Sequence, residues 1–144
     1  MREPDAWLDS FVYLPERDQS FTNDRCFLCG MEVDETTGTD EHIFPKWLLN
    51  EFALWDERVT LLNRITIPYR RLVIPCCITC NTKHLKAVED AVSTAYRKGP
   101  DDMQALDRDL LFLWMGKILY GLMFRELFLA VDRTQPSMGP IMVP

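Results

Sequence analysis

The sequence predicts a mixed α+β fold, with two distant segments stapled together and a long apolar helix at its end. Three observations carry this expectation. Two Cys-x-x-Cys pairs, Cys26/Cys29 and Cys77/Cys80, have 47 residues between them. Inside that interval two β-branched runs flank a two-residue break, as in a hairpin. Beyond it come two stretches with helical periodicity, the second apolar over most of its circumference.

The 144 residues suit one domain with a sizeable core, and a hydrophobic share of 47% with 11% aromatics excludes a disordered chain. A net charge of −6 argues against a general nucleic-acid coat, which would be basic. It leaves room for a site that meets phosphate through a bound cation and a local basic patch. The start, Met1-Arg2-Glu3-Pro4-Asp5, is polar and has no apolar run after it, so no signal peptide is expected. A cytoplasmic, reducing setting follows, in which paired cysteines bind metal more often than they form disulfides.

Taken in order, residues 1–25 read as an N-terminal arm. It holds a helical turn at Asp5–Leu8 and an extended piece at Ser10–Leu14, and packs through Trp7, Phe11 and Tyr13. Residues 26–100 form the core. Cys26-Phe27-Leu28-Cys29-Gly30 is a knuckle in which Gly30 supplies the positive φ of a tight turn. Asp34–Asp40 is a polar loop, Glu41–Phe44 a short strand, and Pro45 opens a short helix through Phe52. Val59–Leu62 and Ile65–Ile67 form the hairpin around Asn63-Arg64, and Tyr69–Ile74 runs extended into the second knuckle. A helix then runs from Thr79 or Cys80 to about Arg97, with Leu85, Val88, Val92 and Tyr96 on its core face, and Gly99-Pro100 stops it.

Residues 101–144 are expected to be a long helix, about 102–131, and a tail rich in proline, glycine and methionine. Asp101-Asp102 caps this helix, and a narrow polar strip runs through Lys117, Gly121 and Arg125. Leu110–Val131 is long and apolar enough to suggest a membrane span, but Lys117, Arg125 and Glu126 would be costly in lipid. A buried helix is expected instead. So much apolar surface needs cover, which points to a homodimer or to the remainder of a longer protein.

Four thiolates in two Cys-x-x-Cys pairs form the commonest closed structural zinc pattern. Cys76 breaks that spacing and reads as a small buried hydrophobe.

The order Cys26/Cys29, Glu41-His42, Cys77/Cys80, Asn81 resembles the four-cysteine branch of the HNH endonuclease superfamily, the ββα-metal nucleases. Glu41-His42-Ile43-Phe44-Pro45 is close to the family's Asp-His-Ile-x-Pro form. The resemblance covers roughly residues 26–97. It implies a metal-dependent phosphodiester hydrolase, acting on DNA more readily than RNA, with a structural zinc and a separate Mg²⁺ or Mn²⁺. It implies that His42 is the general base and that Glu41 and Asn81 hold the catalytic ion. His84, three residues after Asn81 and so on nearly the same helix face, is either a further ligand or phosphate contact, or a partly buried helix histidine facing polar neighbours. Lys46, Arg64, Arg70, Arg71, Lys83 and Lys86 gather near the motif and are candidate phosphate contacts.

Two departures stand out. Glu41 replaces the usual aspartate. The family's middle asparagine has no counterpart, since Leu72 stands five residues before Cys77 and only Asn63 in the hairpin is a substitute. The missing asparagine and the acidic charge favour an alternative: a zinc-binding interaction module of the same fold that has lost catalysis and acts through its last helix.

Overall fold

The structure, a computed structural model, describes residues 22–141. The expected turn at Asp5–Leu8, the extended Ser10–Leu14 and the packing of Trp7, Phe11 and Tyr13 lie outside the described residues. Strand β1 is Gly38–His42, followed by helix α1, Lys46–Glu51, and by strands β2, Arg58–Thr60, and β3, Thr66–Pro68. A 3-10 turn at Tyr69–Arg71 leads to β4, Val73–Cys77. A π-helical turn, Cys80–Leu85, opens helix α2, Lys86–Lys98, and helices α3, Pro100–Ala105, and α4, Arg108–Leu127, complete the body.

β1 and β4 pair antiparallel, with Gly38 opposite Cys77, Glu41 opposite Ile74 and His42 opposite Val73. This pair is the frame of the site, because β1 ends at the Glu41-His42 dipeptide and β4 ends at the second knuckle. β1 starts three residues earlier than the sequence suggests and ends two earlier. The Asp34 carboxylate accepts from the amides of Thr36 and Thr37 at 2.8 and 2.9 Å, which closes the polar loop early and lets pairing begin at Gly38. Ile43 still donates to the Leu72 carbonyl at 2.9 Å, and Pro45 ends the extended run.

The hairpin is present as β2 and β3, with Val59 opposite Ile67. Its turn puts Arg64 at φ 66, and Asn63 stabilises it by accepting from the Ile65 amide at 3.1 Å. The stretch after Pro68 does not stay extended: Tyr69–Arg71 coils into the 3-10 turn before β4 begins.

The expected 102–131 helix is two helices. Leu106 is extended, and the Asp107 carboxylate accepts from the amides of Asp109 and Leu110 at 2.9 and 3.0 Å. That cap starts α4 at Arg108. Asp101 and Asp102 instead supply acidic charge to the first turn of α3, whose first residue is Pro100. α4 ends at Leu127, and the tail folds back. Ile141 donates to the Leu129 carbonyl at 2.8 Å and Ala130 bridges Pro140. No helix among the described residues is long and apolar enough to cross a membrane.

α4 is covered on one side, and not nearly all round as a buried helix would be. Its buried residues are Lys117, Gly121 and Phe124, so most of the supposed polar strip is the packed side. Phe112, Leu113, Met115, Leu119 and Met123 are exposed. Gly121 explains the close approach of α4 to the β1/β4 unit: a Cβ there would lie 3.2 Å from both Ile43 and Ile74, which are fully or nearly fully buried. Gly121→Leu should therefore overpack this contact and lower stability by about 2–3 kcal/mol, read as a drop in melting temperature.

Candidate metal centre and adjoining cleft

The two knuckles meet at the end of β4. Phe27 donates to the Pro75 carbonyl at 2.9 Å, which ties the first knuckle to the strand, and Gly30 turns the chain at φ 72. One sulfur from each of Cys26, Cys29, Cys77 and Cys80 then lies within 4.8 Å of all the others. A tetrahedral zinc with Zn–S bonds of about 2.3 Å requires sulfurs about 3.8 Å apart. Cys29 and Cys77 stand at 3.8 Å. The cluster therefore fits a structural zinc, and three of its four cysteines are buried.

Cys76 lies beside the cluster, its sulfur 3.9 Å from that of Cys26. The hydrogen bond between them lowers the Cys26 thiol to about 4 and raises that of Cys76. Burial raises the thiols of Cys29 and Cys80, so metal binding must displace their protons.

A cleft of about 320 Å³ opens beside this centre, lined by Thr39, Glu41, His42, Lys46, Asn81 and Glu89 among others. The structure thus gathers Glu41, His42 and Asn81 around one space. β1 contributes the first two and the π-helical turn the third. Asn81 donates its Nδ2 to the Thr39 hydroxyl at 3.5 Å, which leaves Oδ1 as the amide's ligand atom. The His42 ring meets Trp55 edge-on at 5.5 Å. Its Nδ1 is buried and has no hydrogen-bond partner among the described residues. Burial lowers the His42 pKa from 6.5, and the ammonium groups of Lys46 and Lys117 lower it further, against Asp40 and Glu89.

Glu41 is 7% exposed and has a partner that the sequence did not suggest. Lys117, from the middle of α4, brings Nζ to 2.5 Å from the Glu41 carboxylate and 3.0 Å from that of Glu89. The same ammonium donates to the carbonyls of His42 and Ile43 at 2.7 and 3.2 Å. Burial pushes the Glu89 carboxyl up, and Lys117 opposes that shift. A lysine inside an apolar helix is itself the signal that could have revealed this, because buried lysines are paired. Glu89 and Trp55 carried no comparable mark.

His84 does not join Asn81. It lines a separate, largely apolar cavity with Leu28, Val88 and Phe112. The cause is the π-helical turn. Its wider winding turns through fewer degrees per residue than an α-helix, so residues 81 and 84 diverge further than a regular helix would allow.

Leu72, at the place of the missing middle asparagine, is fully buried. Asn63 is committed elsewhere, with Nδ2 donating to the Ala130 carbonyl at 3.1 Å. Of the basic candidates, Lys46 and Lys86 line the cleft, and Lys86 pairs with Asp90 at 2.6 Å. Arg70 is paired with Asp56. Arg64, Arg71 and Lys83 are exposed and are not part of the cleft lining.

Comparison with protein-family models, characterised proteins and solved structures finds no match to this chain.

Proposed function

We propose that this protein is a metal-dependent phosphodiester hydrolase of the HNH type, acting on DNA in preference to RNA. The observation that supports it is the shared cleft: Glu41, His42 and Asn81 line one space beside a four-cysteine centre. The ordered motif supplies the roles. Neutral His42 takes a proton from water as its oxygen bonds to phosphorus, and the bond from phosphorus to the 3′-oxygen breaks. The products are a 5′-phosphate and a 3′-hydroxyl.

The donor set fits a hard cation. Glu41 gives one carboxylate oxygen to Lys117 and retains a second, and Asn81 retains its amide oxygen. Mg²⁺ or Mn²⁺ bound there would supply Lewis-acid stabilisation of the charge that builds on phosphate. Lys46 and Lys86 line the same cleft as phosphate contacts, in a setting otherwise rich in carboxylates.

One observation favours a second reading, a non-catalytic module that binds a partner through α4. Phe112, Met115, Leu119 and Met123 recur at helical spacing on its exposed side.

Plasmid nicking in Mg²⁺ or Mn²⁺ separates the two. The nuclease reading predicts metal-dependent nicks and an acidic limb below pH 6.5, because His42 stays neutral to lower pH than a free imidazole. An absence of nicking with either ion across pH 5–9 would leave the interaction module.

A further inference from the structure

His42 is placed in an unusual way for a base. A histidine that moves a proton is normally aimed by a hydrogen bond to its second ring nitrogen. Here Nδ1 is buried with no partner among the described residues. What holds His42 by hydrogen bonding is its main chain. The His42 carbonyl accepts from Lys117 Nζ at 2.7 Å, and the next carbonyl, of Ile43, accepts from the same atom at 3.2 Å.

That ammonium also grips the Glu41 carboxylate at 2.5 Å, and Glu89 at 3.0 Å anchors it from α2. One buried cation thus meets three successive residues at the end of β1. The side chain reaches them because Gly121, one turn further along α4, lets the helix close on Ile43 and Ile74.

We propose that Lys117 is a positioning residue of the hydrolytic site: it sets Glu41 and His42 by clamping the carboxylate of one and the carbonyl of the other. This rests on the nuclease reading. It also gives α4 a part in the reaction that the Cys, Glu-His, Cys, Asn motif does not contain.

The experiment compares zinc-loaded full-length wild type with Lys117→Met, Lys117→Arg and Leu129→Ala on supercoiled plasmid in Mg²⁺. Leu129 is a buried core residue away from the cleft and serves as a control for general destabilisation. Lys117→Met should lower kcat about 100-fold, the scale of a small misplacement of reacting groups, with KM for DNA nearly unchanged. Lys117→Arg keeps the buried cation if the methionine variant fails to fold. Its planar guanidinium cannot reproduce the ammonium's geometry, so a smaller kcat loss is expected, about tenfold. Leu129→Ala should melt earlier yet keep kcat. Wild-type kcat in any folded Lys117 variant, or an equal kcat loss in Leu129→Ala, would overturn the positioning role while leaving the nuclease reading intact. A zinc-loaded wild type that does not nick overturns both.

Discussion

Cys77→Ser is expected to strip the zinc and abolish cooperative folding. Cys77 ends β4, stands 3.8 Å from Cys29 and accepts from the Cys80 amide at 3.4 Å, so it joins strand, knuckle and helix start at one atom. A structural zinc contributes an apparent free energy of about 10–16 kcal/mol. A domain of this size has about 5–15 kcal/mol of net stability, so losing a ligand can remove all of it. Zinc content should fall below one per chain, and the thermal melt should lose its sigmoid. Cys76→Ser is the contrast. Cys76 is buried beside Cys26 but lies outside the four-sulfur group, so that variant should lose stability and keep its zinc. A Cys77→Ser protein with full zinc and an unchanged melt would remove the staple from this account.

His42→Ala is expected to lower nicking by about 100- to 10,000-fold, the usual contribution of a positioned general base. The loss should come without a matching loss of structure. The side chain is half-buried, its ring contact is with Trp55, and its Nδ1 has no partner, so truncation breaks no side-chain hydrogen bond among the described residues. Zinc content and melting temperature should stay near wild type. Gel quantification of nicked plasmid at fixed Mg²⁺ measures the effect. Activity equal to wild type would deprive His42 of its role as base.

Local chemistry made much of the fold legible. The two Cys-x-x-Cys pairs announced the sulfur cluster, because their spacing leaves few other uses for four thiols. The β-branched runs around Asn63-Arg64 announced the hairpin, and Gly99-Pro100 the end of α2. Local signals also misled. Asp101-Asp102 looked like the cap of one long helix, while Asp107 caps α4 and splits it from α3.

The largest difference concerns α4. A strip of Lys117, Gly121 and Arg125 looks solvent-facing when polarity alone is counted, yet Lys117 and Gly121 are on its buried side. Gly121 is there to let helices and strands approach, and Lys117 because two carboxylates and two carbonyls await it. Those partners come from β1, the turn after it and α2, and no periodicity within α4 encodes them. The same limit applied to His84. Its separation from Asn81 depends on a π-helical turn, and a regular helical reading of Cys80–Leu85 cannot anticipate that change of winding.

The most direct test of the central claim is a crystal of the zinc-loaded protein soaked in Mn²⁺, with anomalous scattering recorded to tell manganese from zinc. The account predicts zinc among Cys26, Cys29, Cys77 and Cys80, and manganese in the cleft bound by Glu41 and Asn81. A cleft that stays free of manganese at concentrations saturating for such sites, with Glu41 held by Lys117 alone, would contradict it.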